Sequence, residues 1–334
     1  MFSVQCFANV EKKKSVIKIF DMAAKDNLLI DNQFGKVNVS LWDKNEVRID
    51  ITVSVKSANE DRAQRYLNSV EIVDKRAGDQ ISMRTIINKQ ESSSGWNWPW
   101  SSKESDNQIQ IDYTVSMPKN NALTVINRFG NTNIPSFKAP LAVTSKYGNF
   151  TANDLMGSKN DIDVSYGKAD IQQMSNGKID VSYSTLNLES IKTLTIVNRF
   201  GKLKIGQVEK IDGRISYSSG RIGLLKESCN LKLDFSGGFR IDQVATSTEN
   251  VDIQASYSSV NVPVENSDCN FDVTVTHGGF NYGNSRKVIF TQNDDDRKDD
   301  QRGYRSTKQY IGKMGNGGNM RIKVVSKFGE VSLK

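Results

Sequence analysis

From about position 120 onward the chain alternates apolar and polar residues with period two, in short bursts that restart at nearly regular intervals. Ile162/Val164, Ile179/Val181, Leu231/Leu233 and Val273/Val275 stand four and two positions before an aromatic residue or, in the last case, a histidine. Ala169/Ile171, Leu186/Leu188, Leu203/Ile205, Val260/Val262 and Val331/Leu333 stand three and five positions after one. A further apolar residue follows at plus eight, as Leu155, Met174, Ile191 and Val208. Period-two alternation predicts short strands with one buried face.

The aromatic residues set the period. Phe129-Gly130, Tyr147-Gly148, Tyr166-Gly167, Tyr183-Ser184, Phe200-Gly201, Tyr217-Ser218, Phe235-Ser236 and Tyr257-Ser258 recur at steps of 18, 19, 17, 17, 17, 18 and 22 residues. His277-Gly278 takes the next slot, and Phe328-Gly329 closes the chain after an insertion. A unit this short cannot bury its own apolar face, but a stack of such units can, so the pattern predicts an all-β fold, a parallel β-helix. Right-handed coiling is expected from the crossover rule. Gly or Ser after each aromatic suits a tight corner, where a side chain must be small or the backbone must reach positive φ. The aromatics are expected to form an internal stack, against the alternative of a ligand platform. Polar residues two positions before them (Asn127, Ser145, Asn198, Ser326) are expected as buried rungs bonded to backbone.

Residues 9–120 follow another rule and are expected to form a small N-terminal α+β cap on a β-helix spanning 121–334, although Asn32-Gln33-Phe34-Gly35 repeats the motif once and can join the stack. Val47–Val55 alternates as a strand. Asn59–Val70 reads as an amphipathic helix with Ala63, Tyr66, Leu67 and Val70 inward, and 80–87 and 108–117 read as paired strands. Capping protects the open end of a solenoid from edge-to-edge association. Between the last two strands, the polar segment 90–107 carries Trp96, Trp98 and Trp100, three of the four tryptophans. Clustered aromatic planes suit sugar faces or a membrane interface, so these three residues are the candidate ligand-binding set, against the alternative that they fold back onto the cap. Residues 291–319, with the acidic run from Asp294, read as a solvated inserted loop whose spacing does not suit calcium; no metal or cofactor is expected.

Composition narrows the functional classes. The net charge of +7 is dispersed over 45 basic and 38 acidic residues, and no nucleic-acid-binding motif is present, so no nucleic-acid partner is expected. No stretch approaches the ~20 apolar residues of a membrane span. The apolar start, residues 1–8, resembles the remnant of a secretory signal and points to an extracytoplasmic location, periplasm or cell surface. Cys229 and Cys269 are expected as buried free thiols on coils separated by a third, roughly 9–10 Å apart and too far for a disulfide. Asp163 and Asp180 on consecutive coils, with Arg214 beyond, raise polysaccharide hydrolysis, but no further catalytic group converges on them. The sole histidine, His277, replaces a repeat aromatic, and no nucleophile triad can be assembled.

The aromatic-Gly-x-hydrophobic-x-hydrophobic unit resembles the repeat of the putative-adhesin solenoid family common in Bacteroidetes. The opening Phe34-Gly35-Lys36-Val37-Asn38-Val39 with Trp42-Asp43-Lys44-Asn45, and the closing Ser326-Lys327-Phe328-Gly329-Glu330-Val331, carry the same likeness. The resemblance covers nearly the whole chain and implies an exported, non-enzymatic envelope or surface protein that binds glycans or proteins, with no catalytic residues to transfer. A structural or envelope-signalling scaffold, and a polysaccharide-active enzyme, are the alternatives.

Overall fold

The structure, a computed structural model, describes residues 10–88, 108–264, 267–284, 287–295 and 306–334. It divides into two compact units, one ending at Ala152 and the other beginning at Asn153. The chain is all-β with one α-helix among the described residues, and in both units parallel ladders outnumber antiparallel ones.

The first unit contains β1 (Val10–Asp21), β2 (Asn27–Gln33), β3 (Val37–Trp42), β4 (Glu46–Ser57), α1 (Glu60–Ser69), β5 (Val70–Ala77), β6 (Gln80–Ile87), β7 (Gln108–Pro118), β8 (Ala122–Arg128), β9 (Thr132–Ile134) and β10 (Leu141–Lys146), and the first half of β11 (Phe150–Leu155). Strict alternation lets β4 bury Val47, Ile49, Ile51, Val53 and Val55 on one face. Helix α1 starts where Asn59 accepts a hydrogen bond from the Arg62 backbone N–H at 3.0 Å, and Glu60 and Asp61 complement its positive end. It buries Ala63 and Leu67, whereas Tyr66, expected inward, is only half-buried.

In one parallel ladder β2 lies between β6 and β8, with β10 beyond β8 and β5 antiparallel outside β6. In the other β3 lies between β7 and β9, with β11 beyond β9, and β4 bridges β7 and β1 antiparallel. Strands β6 and β7, expected as a pair, therefore belong to different ladders. They meet instead through their inward faces, where Thr85 and the Tyr113 hydroxyl are 2.8 Å apart. Alternation identifies a strand's buried face but not its ladder partner, so the sequence pattern does not reveal this arrangement. The Phe34 motif does join the parallel stack: the Phe34 N–H donates to the Arg128 carbonyl, and β2 runs in register with β8.

The second unit contains β12 (Asn160–Ser165), β13 (Lys168–Ser182), β14 (Thr185–Arg199), β15 (Lys202–Ser216), β16 (Ser219–Asp234), β17 (Phe239–Val244), β18 (Asn250–Ser256), β19 (Val260–Val262), β20 (Cys269–Thr276), β21 (Phe280–Asn281), β22 (Val288–Asn293), β23 (Thr307–Met314), β24 (Met320–Lys327) and β25 (Val331–Leu333). Strands β13 to β16 pair in parallel with like residues in register: Met174 beside Ile191, Val208 and then Leu225, and Ile171 beside Leu188, Ile205 and Ile222. Each apolar column is thus continuous, and nearly all of it is inaccessible to water.

The order of coils breaks near the C-terminus. Strand β24 pairs in parallel with β18 on one side and β20 on the other, and β25 does the same between β19 and β21. The last coil of the sequence therefore fills the slot between two earlier ones. Sequence order had placed the His277 coil next to that of Tyr257; the Phe328 coil separates them. The segment 291–319, expected as a loop, contributes β23, which pairs antiparallel with β20 and covers its other edge, with β22 outside. Only Tyr310, Gly312 and Met314 carry its buried face, a pattern too sparse in apolar residues to read as a strand. Cys229 lines up with Val251, Ile322 and Phe271 on successive strands. The strands that carry the two cysteines are consequently three steps apart, ~14 Å, not two, and both thiols are buried.

Candidate functional site: an exposed aromatic ladder

Each repeat turns at its aromatic residue. Among the described residues, eleven non-glycine residues have positive φ, between 49° and 63°, and all are the aromatic or histidine of the repeat. Of the two roles the sequence offers for the following Gly or Ser, positive φ falls to the aromatic instead, and small size holds: the neighbouring coil approaches so closely that a Cβ on Gly201 would lie 2.1 Å from the Ser184 carbonyl oxygen, and one on Gly329 would lie 2.0 Å from that of Ser258. Where serine takes the slot, its hydroxyl stitches coils together. Ser184 donates to its own Ser182 carbonyl at 2.8 Å and accepts from the Gly167 N–H at 2.9 Å, and Ser218 accepts from the Gly201 N–H at 3.0 Å.

The left-handed conformation costs a bulky residue roughly 1–2 kcal/mol, and here it swings every ring outward. In the first unit Phe34, Phe129 and Tyr147 stack at 5.0 and 4.9 Å. In the second, Tyr166, Tyr183, Phe200, Tyr217, Phe235, Tyr257, Phe328 and His277 form one column, with neighbouring centroids 4.7 to 5.0 Å apart and planes within 12°. The stack is not internal as expected, because the seven carbocyclic rings of that column are 45% to 52% exposed. Face-to-face stacking covers the ring faces, so what meets solvent is a ribbon of ring edges. From Tyr183 to Phe328 tyrosine and phenylalanine alternate, placing a phenolic hydroxyl on every second rung.

Of the buried polar rungs beneath the ladder, Asn127, Ser145 and Ser326 bond backbone carbonyls as expected, whereas Asn198 pairs with a side-chain hydroxyl. Asn127 donates to the carbonyls of Gly35 and Asn131, both at 3.1 Å, and Asn198 accepts from Ser218 at 2.8 Å. Asp180, one of the two carboxylates considered for hydrolysis, is engaged in an ion pair across coils, as is Arg214. Asp180 accepts two hydrogen bonds from Arg199, at 2.7 and 3.0 Å, and Arg214 pairs with Asp234 at 2.6 Å. Asp163 sits beside Asp180 in the β12–β13 ladder, but the guanidinium on Asp180 leaves no proton-shuttling pair there. In the acidic run, Asp294 accepts from the Gln309 N–H and Asp295 from Lys308 and Tyr310; the Lys308 contact holds the Asp295 carboxyl below its usual range. Among the described residues no group of three or more His, Cys, Asp or Glu is placed to hold a metal ion. Trp96, Trp98 and Trp100, and residues 1–8, lie outside the described residues. No helix among the described residues is long and apolar enough to cross a membrane.

No protein-family model and no curated protein matches the chain. Among solved structures it is similar to a putative adhesin from Parabacteroides merdae ATCC 43184, at 11% identity over 75% of this chain and 96% of that one, with a TM-score of 0.36. A putative adhesin from Bacteroides fragilis NCTC 9343 matches at 8% identity over 96% and 97% of the two chains, with a TM-score of 0.35. A putative cell adhesion protein from Clostridium sporogenes ATCC 15579 matches at 11% identity over 97% and 99%, with a TM-score of 0.23.

Proposed function

We propose that this protein is an exported, non-enzymatic adhesin-like module, a right-handed parallel β-helix that holds its aromatic ladder against glycans or proteins of a cell surface or envelope. The observation that carries this reading is the ladder itself. A glycine or asparagine would satisfy the corner conformation at little cost, yet every corner of the stack holds an aromatic or histidine, half in water. Stacking recovers part of the strain. It does not require the Tyr/Phe alternation or a hydroxyl on every second rung. Repeated, evenly spaced chemistry along a surface suits a repeating ligand, and the absence of a convergent acid–base pair on the described coils favours binding over catalysis.

The test is a glycan array probed with the parent chain and with a Tyr183→Phe/Tyr217→Phe/Tyr257→Phe variant, which keeps every ring and removes the hydroxyls. Loss of at least tenfold in affinity for the bound class is expected. Unchanged binding by that variant, with loss in a Trp96→Ala/Trp98→Ala/Trp100→Ala variant, would transfer the contact to the tryptophan segment. No binding to any array component would favour the scaffold alternative.

A further inference from the structure

Building on the ladder as a contact surface, we infer that its ligand is a linear acidic polysaccharide bearing a carboxylate on alternate sugars. Three observations converge on this class. The first is which part of each ring is available. Sugars without charge usually dock their apolar face on an exposed aromatic face, but each interior ring of the column, from Tyr183 to Phe328, is sandwiched at about 5 Å by its neighbours, as Phe200 is by Tyr183 and Tyr217. Only ring edges remain, and the edge is the positive rim of the aromatic quadrupole, which favours anions and acceptor oxygens.

The second is the state of the charges beside the ladder. Carboxylates next to it in the second unit are neutralised by cations of the protein: Asp180 by Arg199, Asp234 by Arg214, and Asp170 by Lys168 at 2.9 Å. Asp163 is also engaged. Glu330, two residues after Phe328, makes no ion pair. Against it stand Lys202, Lys204, Lys232 and Lys327, all exposed and without an ion pair among the described residues. Unpaired charge on this surface is therefore predominantly positive.

The third is periodicity. Lys202 and Lys204 follow Phe200, Lys232 precedes Phe235, and Lys327 precedes Phe328, so unpaired cations accompany the phenylalanine rungs while the rungs between offer Tyr217 and Tyr257 hydroxyls. Phe200, Phe235 and Phe328 are alternate rungs, about 10 Å apart, two ring spacings. One sugar of an extended chain covers about one rung, so a glycan laid along the column would meet a lysine at every second sugar and a phenolic hydroxyl at the sugar between. A polymer with an acid on alternate residues fits that alternation; one without charge leaves the lysines unanswered.

The proposal is tested by isothermal titration of the full chain with a hyaluronan octasaccharide, which alternates uronate and N-acetylhexosamine, and with chitohexaose as the matched uncharged probe. The acidic probe is expected to bind at least tenfold more tightly, and to weaken steeply from 50 to 300 mM NaCl. A Lys202→Gln/Lys232→Gln/Lys327→Gln variant should lose at least tenfold in affinity for it. A charge-matched control, Lys178→Gln/Lys192→Gln/Lys226→Gln, removes three lysines set away from the corner and should stay within twofold of the parent. Equal weakening in both variants would overturn the inference in favour of diffuse attraction to net charge. Tighter binding of chitohexaose would overturn the acidic class while leaving the ladder as the contact surface. Binding of neither probe, with a positive glycan array elsewhere, would overturn this ligand class; a blank array would remove the contact reading as well.

Discussion

Phe200 is the most informative residue to perturb, because two opposing energies meet in it. Its φ of 55° is a conformation that costs a side-chain-bearing residue roughly 1–2 kcal/mol. Its ring stacks on Tyr183 at 4.9 Å and on Tyr217 at 5.0 Å, contacts worth about 0.5–1.5 kcal/mol each. Being about half-buried, it adds on the order of 1 kcal/mol of transfer free energy. Phe200→Ala removes both contacts and the apolar area but keeps the unfavourable φ, so a loss of about 2–4 kcal/mol is expected. Phe200→Gly removes the same contacts and relieves the φ, a gain that offsets glycine's extra chain entropy of about 0.5–1 kcal/mol. At such a corner Gly should be no worse than Ala, the reverse of their order in an ordinary strand. His277, which stacks only on Phe328 among the described residues, should lose about half as much on substitution by Ala. Urea unfolding followed by far-ultraviolet circular dichroism measures all three. A Phe200→Ala loss under about 1 kcal/mol, or one no larger than that of His277→Ala, would refute the idea that stacking compensates corner strain.

The close approach at the corner predicts that Gly201→Ala, whose Cβ would meet the Ser184 carbonyl oxygen at 2.1 Å, lowers the thermal midpoint by several degrees. Gly237→Ala, which meets nothing within 4 Å, should leave the midpoint unchanged. Burial pushes the Tyr113 hydroxyl up to about 12 from its usual 10. With the folded value raised, this group's contribution is complete below pH 10 and is lost as pH rises toward 12, up to about 3 kcal/mol in all. Tyr113→Phe should flatten that alkaline decline in urea titrations at stepped pH, and an unchanged slope would assign the decline elsewhere. Deleting residues 320–334 removes a coil from inside the stack and bares both β18 and β20. Hydrogen exchange should then show lost protection across 250–281 as well as at the new terminus; protection retained there would mean that β18 and β20 can close on each other.

Much of this architecture was legible because period-two alternation and the aromatic interval both survive in the linear sequence. Met174, Ile191 and Val208 do stand side by side, and α1 begins at its Asn59 cap. What misled was anything decided by partner choice. The C-terminal coil has the same inward pattern as its neighbours, so nothing in Ile322 or Val324 announces that it lies between Val251 and Phe271. The direction of the rings was hidden in a parity conflict. Residues two and four before the aromatic point inward, which by alternation sends the aromatic inward; residues three and five after it also point inward, which sends it outward. Only a backbone reversal at the aromatic itself reconciles the two, and the left-handed φ supplies it. That conflict was present in the sequence and is the signal that could have found the site.

The same reversal explains why structure and proposed function coincide at this corner. A fold that merely needed to turn could place glycine at each left-handed position and leave the groove between coils bare. Placing aromatics there instead makes each corner depend on the next, because a ring without neighbours keeps its strain and loses its compensation. The ring edges and phenolic hydroxyls of the ladder are thereby set at fixed intervals before any ligand arrives, and the flanking lysines start from fixed backbone positions. Preorganisation of that kind reduces the ordering cost of binding a long flexible chain, where many weak contacts must form together. A ladder that was only structural would tolerate exchange of its tyrosines and phenylalanines between rungs; a ladder that reads a repeating ligand would lose affinity on such an exchange while keeping its stability.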